Sequence, residues 1–147
     1  MAKVKFTKRP SPVLAEHRPL YKVSQALLII DICGRGKKCS LIKLHLLNWA
    51  LKSRSRVELL QNAVRTKSLS LPVWGFDPAL AIALQLSVEE GLLEIEGNSI
   101  GITKKGADFL AEINKYHDSL AVEKDALKLI GKGLTEPMVS GAAKGWE

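Results

Sequence analysis

Asp77-Pro78-Ala79-Leu80-Ala81-Ile82-Ala83-Leu84-Gln85-Leu86-Ser87-Val88-Glu89-Glu90-Gly91, continued by Leu92-Leu93-Glu94-Ile95-Glu96-Gly97-Asn98-Ser99-Ile100-Gly101-Ile102-Thr103, is the stretch whose reading decides the fold. Asp77 is a capping residue with proline at the first helical position behind it. The apolar run from Ala79 to Val88 predicts a helix that closes at Glu89-Glu90 with Gly91 as terminator. Two short apolar segments then flank Gly97-Asn98, the composition of a two-residue hairpin turn. A turn of that length pairs Ile95 with Ile100 and Leu93 with Ile102. Four apolar side chains then share one face, and Glu94 and Glu96 point away. Thr103 is placed to cap a further helix carrying Ala107, Leu110 and Ile113.

Helix, short wing and closing helix, in that order, predict a winged helix-turn-helix: mostly α with a small β-hairpin wing. Upstream, Leu20 to Cys33 carries apolar residues at spacings of three and four and ends at Gly34 and Gly36. Ser40 is the expected cap of a second helix from Leu41 to Ser53, with Leu44, Leu47 and Leu51 as its core row. Arg54 to Thr66 predicts a short amphipathic helix, Ser68 to Leu71 a brief strand, and Pro72 to Phe76 a loop. Residues 54–76 stand where an ordinary helix-turn-helix has three or four residues, so they read as an insertion carrying an inserted helix. Residues 1–19 are an extended basic N-terminal arm broken by Pro10, Pro12 and Pro19. The winged-helix domain is expected over 20–130. Residues 131–147, with four glycines and a proline, are expected to form a flexible Gly-rich tail without a packed helix.

The charge is distributed unevenly. The chain of 147 residues has a formal net charge of +7. Residues 1–67 hold fifteen Lys and Arg against three acids, and residues 68–147 hold seven Lys and no Arg against twelve acids. Such a split predicts two surfaces with different partners, the basic one suited to phosphate. No apolar run of about 18 residues predicts a membrane span. The basic N-terminus lacks the apolar core of a signal peptide, so the expected location is cytoplasmic. Cys33 and Cys39, six apart, match neither a disulfide framework nor a C-x-x-C pair and read as reduced thiols.

Motifs for catalysis are missing from the sequence. His17, His45 and His117 have no second ligand at metal spacing. Gly34-Arg35-Gly36-Lys37-Lys38 lacks the earlier glycine, the following Ser or Thr and the preceding strand of a phosphate loop. It reads instead as a basic turn touching a phosphate backbone. Glu89 and Glu90 diverge by about 100° on a helix and cannot work as a paired acid and base. The chain is therefore expected to be non-enzymatic, with no cofactor, metal or small-molecule substrate.

A sequence-reading winged helix offers Arg, Lys, Asn or Gln to base edges from its third helix. Ala79 to Val88 offers only Gln85 and Ser87, and it is apolar around most of its circumference. That pattern predicts burial on more than one side, against the domain core and against a partner chain or the insertion. The wing carries Glu94 and Glu96 and no arginine for a minor groove. The expected role is protein docking, with DNA contacts from the basic half that ignore sequence. The DNA-contact candidates are Lys3, Lys5, Lys8, Arg9, Arg18, Lys22, Arg35, Lys37, Lys38, Arg54 and Arg56. The partner-interface candidates are Tyr21, His45, Trp49, Trp74, Leu80, Ile82, Leu84, Leu86 and Trp146. For Trp49 two readings stand: a docking patch shared with His45, or a core filler beside a polar-face histidine.

Arg18-Pro19-Leu20-Tyr21-Lys22-Val23-Ser24-Gln25 through Gly34-Arg35-Gly36, then Ser40 to Leu51, resembles the small middle component of ABC-three-component systems, the group that includes Lamassu-type bacterial anti-phage defence. With Glu90 to Leu93 and Thr103 to Gly106, a signature common among winged helices, the resemblance covers roughly residues 18–115. It implies a non-catalytic subunit bound to an SMC- or Rad50-like ABC ATPase, associated with a nuclease-like effector and near DNA held by the ATPase heads. Arg18, Tyr21, Lys43, His45, Asn48 and Trp49 are the positions carried over. The arm and the tail lie outside it. The alternative function is a stand-alone winged-helix transcription regulator.

Overall fold

Nine consecutive residues, Lys22 to Ile30, are buried in the first helix, which makes it the axis of the molecule. The computed structural model describes residues 19–70, 77–115 and 120–144. In chain order they form α1 (Pro19–Cys33), β1 (Lys38–Ser40), α2 (Leu41–Ala50), α3 (Arg54–Thr66), α4 (Pro78–Glu89), β2 (Leu93–Glu96), β3 (Ser99–Ile102), α5 (Lys104–Lys115), α6 (Ala121–Ile130), a 3-10 turn over Gly131–Gly133, and α7 (Glu136–Lys144). The fold is mostly helical, with a small three-stranded antiparallel sheet in the order β1-β3-β2. α1 packs against α2, α4, α5 and α6. A helix covered on so many sides has no polar stripe to spare, and α1 has almost none.

The caps fall where sequence chemistry puts them. Ser40 accepts the Lys43 N–H at 3.0 Å, Asp77 the Ala79 N–H at 3.0 Å, and Thr103 the Gly106 N–H at 3.0 Å. The hairpin has the expected register, Leu93 opposite Ile102 and Ile95 opposite Ile100. Leu93 and Ile100 are buried, whereas Ile95 lies past the edge of the core. The end of α4 is closed from outside, because the Lys105 ammonium donates to the Glu90 carbonyl at 2.7 Å.

Four expectations are corrected. The basic turn leads into a strand: β1 pairs Cys39 with Ile100, a partner sixty-one residues away that no local pattern reveals. The second helix stops at Ala50, and Ser53 already occupies the capping position of α3. Ser68 to Ser70 form no strand, and Leu71 lies outside the described residues. Finally, the C-terminal segment is packed. Leu134 and Val139 are buried, and α7 sits on α2. Glycine lowers helix propensity by about 1 kcal/mol, and burial of two branched apolar side chains at roughly 1.5–3 kcal/mol each outweighs it. Residues 145–147 lie outside the described residues.

Among the described residues α4 is covered on one face only. Leu80, Ala83, Leu84 and Ser87 are buried, whereas Ile82 is 57% exposed and Leu86 and Val88 are also exposed. Of the two covers expected for the second side, the insertion contributes no α3 packing there, since α3 packs on α2 and α6. The two faces give a direct test. Leu84→Arg forces a charge into the core and should abolish cooperative thermal unfolding, whereas Ile82→Arg should shift stability by only about 0.5 kcal/mol, as surface substitutions do. Circular dichroism melts of the two variants check this.

Candidate functional site

Three features outside the ordinary packing carry chemistry: a buried ion-pair node at Asp77, a basic turn after α1, and the outer face of α4.

The node begins with Lys22, 2% exposed in the first turn of α1. An ammonium has three donors. Here they meet Asn48 Oδ1 at 2.9 Å, Asp77 Oδ2 at 3.0 Å and Gln25 Oε1 at 3.3 Å. Asp77 Oδ2 also accepts from the Asn48 amide at 3.2 Å and pairs with Lys52 at 3.1 Å, while Oδ1 caps α4. Burial alone would raise the Asp77 pKa. The hydrogen bonds from Lys22, Asn48 and Lys52 outweigh it and hold the carboxyl well below the ordinary range. His45 lies nearby in the core. Burial lowers its pKa, and the Asp77 charge only partly opposes that.

The basic turn is built around Gly34. A Cβ there would lie 2.5 Å from the carbonyl oxygens of both Ile30 and Lys38, so no other residue lets β1 fold back on the end of α1. Arg35 and Lys38 exchange backbone hydrogen bonds of 3.0 and 3.2 Å. The two residues between them, Gly36 and Lys37, both have φ near +61°, the requirement of a tight primed turn. Lysine is uncommon in that conformation. Arg35, Lys37 and Lys38 all reach solvent. Their acidic neighbours stand at the limit of ion pairing: Lys37 to Asp31 and Lys38 to Glu96 are each 4.0 Å. Exposed pairs at that distance are worth at most about 1 kcal/mol, so the cations remain available.

Two further lysines anchor this corner. Lys43 donates to the Cys33 carbonyl at 2.7 Å and Lys132 to the Gly34 carbonyl at 2.6 Å, which satisfies carbonyls that end a helix without partners. Burial lowers the Lys43 pKa, and Glu136 and the two cysteines oppose that. Glu136 at the head of α7 accepts the Ser40 N–H at 3.0 Å. Together Arg35, Lys38, Ser40, Lys43, Ser99 and Glu136 line a shallow cavity of about 410 Å³. Cys33 and Cys39 are free and buried; burial pushes their thiols up to about 11 and about 12. Lys43 and Lys132 offset this for Cys33, whereas Glu136 adds to it for Cys39. Both are therefore thiols, not thiolate nucleophiles, at neutral pH.

The outer face of α4 exposes Ile82, Gln85, Leu86 and Val88, and the helix contains no Lys or Arg. Gln85 donates to the Glu89 carboxylate at 3.5 Å.

The structure redistributes the sequence candidates. Lys22 is no DNA contact, because its ammonium is buried and spent on the node. Arg56 turns inward: its guanidinium stacks 4.5 Å from the Trp49 ring centroid and donates to the Trp49 carbonyl at 3.1 Å. Trp49 is thereby half-covered from within the chain. His45 is buried, so neither a docking role nor a polar-face position describes it. Leu80 and Leu84 belong to the core. Tyr21 is half-buried and donates to the Glu123 carboxylate. Of the DNA candidates, Arg35, Lys37 and Lys38 come together, and Arg54 stands apart on α3 with its guanidinium 3.5 Å from Glu58. Lys3, Lys5, Lys8, Arg9, Arg18, Trp74 and Trp146 lie outside the described residues. Ile82 and Leu86 remain as exposed interface candidates.

Sequence reasoning missed Lys52, Lys132 and Glu136 and the joint role of Lys22, Asn48 and Asp77. A lysine set between apolar residues in α1 was a usable signal, since a buried charge demands a partner. Nothing in the sequence announces Lys132, whose acceptor is ninety-eight residues away.

Among the described residues no cluster of three or more His, Cys, Asp and Glu side chains could hold a metal ion, and no helix is long and apolar enough to cross a membrane. No family model, curated protein or solved structure matches the chain significantly.

The node has a pH signature. Asp77→Asn leaves Lys22 buried without its counter-ion and should cost about 3–5 kcal/mol at pH 7. Because the folded pKa of Asp77 is depressed, its contribution is complete above the unfolded value near 3.9 and is lost as pH falls toward the folded value. The stability gap between the wild-type chain and Asp77→Asn, measured by urea titration, should therefore narrow only below about pH 4.

Proposed function

We propose that the chain is a winged helix-turn-helix protein in which α4 holds the place of the recognition helix and the β2–β3 hairpin is the wing. The supporting pattern is α1-β1-α2, the inserted α3, α4, then the hairpin and α5, with β1 paired to β3. More particularly, it is a non-catalytic adaptor of an SMC/Rad50-like ATPase complex in bacterial anti-phage or anti-plasmid defence. In this reading the adaptor works in the cytoplasm, bridges the ATPase and a nuclease-like effector, and touches DNA without reading its sequence.

The observation that carries this reading is the outer face of α4. A helix that enters a major groove needs cations for phosphates and polar side chains for base edges. This face offers Ile82, Leu86 and Val88 to solvent with Gln85 as its one base-reading side chain, and Glu89 follows at its end. An apolar face rimmed by polar residues favours a protein partner. The defence assignment itself rests on the resemblance of residues 18–115.

DNA contact is assigned to Arg35, Lys37 and Lys38. A lysine held at positive φ, where glycine or asparagine is easier, supports a requirement for charge at that position. Such contact is electrostatic: the slope of log affinity against log salt is about −0.9 per neutralised phosphate. The second reading, a transcription regulator, draws support from the exposure of Gln85 on α4.

Co-expression with a coiled-coil SMC/Rad50-like ATPase from the same genome tests the adaptor reading. Ile82→Arg should abolish co-purification while the variant stays folded. Exchanging Lys37 and Lys38 for Glu should lower DNA affinity at least ten-fold at low salt and leave assembly intact. A footprint on a defined DNA site by the isolated protein, unaffected by Ile82→Arg, would favour the regulator and sink the adaptor.

A further inference from the structure

α3 and α6 enclose a groove of about 440 Å³ that the proposed DNA and ATPase contacts do not use. Its floor is apolar. Val122, Ala126 and Leu129 form one stripe on α6, facing Val57 on α3, and the two ends of that stripe are 79% and 55% exposed. Its rim is acidic: among the described residues Glu58, Glu123 and Asp125 stand against a single cation, Arg54, which already pairs with Glu58 at 3.5 Å. A surface of that kind fits an occupant that is apolar on one side and basic on the other.

We propose that the occupant is the chain's own N-terminal arm, seated through residues 2–9. Ala2-Lys3-Val4-Lys5-Phe6-Thr7 alternates apolar with polar, and Lys8-Arg9 follows. In an extended backbone successive side chains point to opposite sides, so Ala2, Val4 and Phe6 share one side and Lys3 and Lys5 the other. The apolar side matches the stripe, and Lys3, Lys5 and Arg9 on the other side match the three rim carboxylates. The point of entry agrees. The Tyr21 hydroxyl, in the first turn of α1, donates to Glu123, a residue of the groove itself. The arm therefore joins the fold beside the groove. Thr7 to Arg18 is twelve residues, up to about 40 Å when extended. The ten residues of α6 span only about 15 Å, so the arm reaches the whole groove.

Zero-length carbodiimide coupling of the full chain at micromolar concentration, read by mass spectrometry on mixed isotopically light and heavy protein, tests this. The expected result is light–light and heavy–heavy links from Lys3, Lys5 or Lys8 to Glu58, Glu123 or Asp125. These should fall at least five-fold in Phe6→Ser, in Leu129→Arg, and in about 1 M salt, where screening shortens to about 3 Å. Neither variant alters a buried position among the described residues. Should Leu129→Arg lose its fold by circular dichroism, Phe6→Ser decides alone. Several results overturn the proposal: no links to those three carboxylates, an even spread over all acids, or coupling to Glu94 and Glu96, which would place the arm on the edge of the sheet. Light–heavy links alone, which would make the occupant a second copy, or links unchanged in Phe6→Ser do the same.

Discussion

Asp77 holds three elements with one carboxylate. One oxygen starts α4 and the other takes Lys22 from α1, Asn48 from α2 and Lys52 from the turn after it. This oxygen-centred cluster ties the start of α4 to α1 and α2. A buried ion pair contributes little net stability compared with a good apolar contact, because desolvation consumes most of the attraction. Its value is geometric. Lys22 cannot be satisfied unless α2 and the start of α4 arrive together, which ties the docking of α4 to the completion of the core.

The opposite end of α1 is closed by the same kind of logic. Its last carbonyls are taken by Lys43 from α2 and Lys132 from the turn before α7. Glu136 then bonds the backbone at the head of α2. The C-terminal segment is therefore tied to the basic turn: Lys43 is buried there, and Lys132, still exposed, donates to the carbonyls at the end of α1. The surface cations left at this corner, Arg35, Lys37 and Lys38, stand on a turn fixed from behind by Gly34 and from both sides by backbone hydrogen bonds. A rigid cation triplet loses little entropy when it meets a phosphate backbone.

Two surfaces of opposite character result. The outer face of α4 is apolar and lacks cations, and the turn is cationic and lacks apolar cover. In the adaptor reading these are separate instruments, one for a protein partner and one for a polyanion. The groove between α3 and α6 adds a third surface, apolar with an acidic rim. The sign of its charge excludes nucleic acid and suits the chain's own basic arm.

Local chemistry was legible wherever it operates within a few residues. Asp77 before proline, Ser40 and Thr103 as caps, and Gly97-Asn98 between alternating segments specified their helices and the register of the hairpin, because capping bonds and two-residue turns close within four positions. The apolar patterns of α1 and α4 marked helices, and the described residues cover α4 on one face, leaving Ile82, Leu86 and Val88 exposed. The rest depended on groups far apart in sequence. β1 exists because β3 lies beside it, α7 because α2 offers a surface for Val139, and the roles of Lys22, Lys132 and Arg56 were set by which acceptor or ring came within about 3 to 5 Å. A lysine in a sequence reads as surface charge. Whether it meets water or a buried carboxylate is decided by the packing of helices around it, since only a fully assembled cavity supplies enough acceptors to replace the water it gives up.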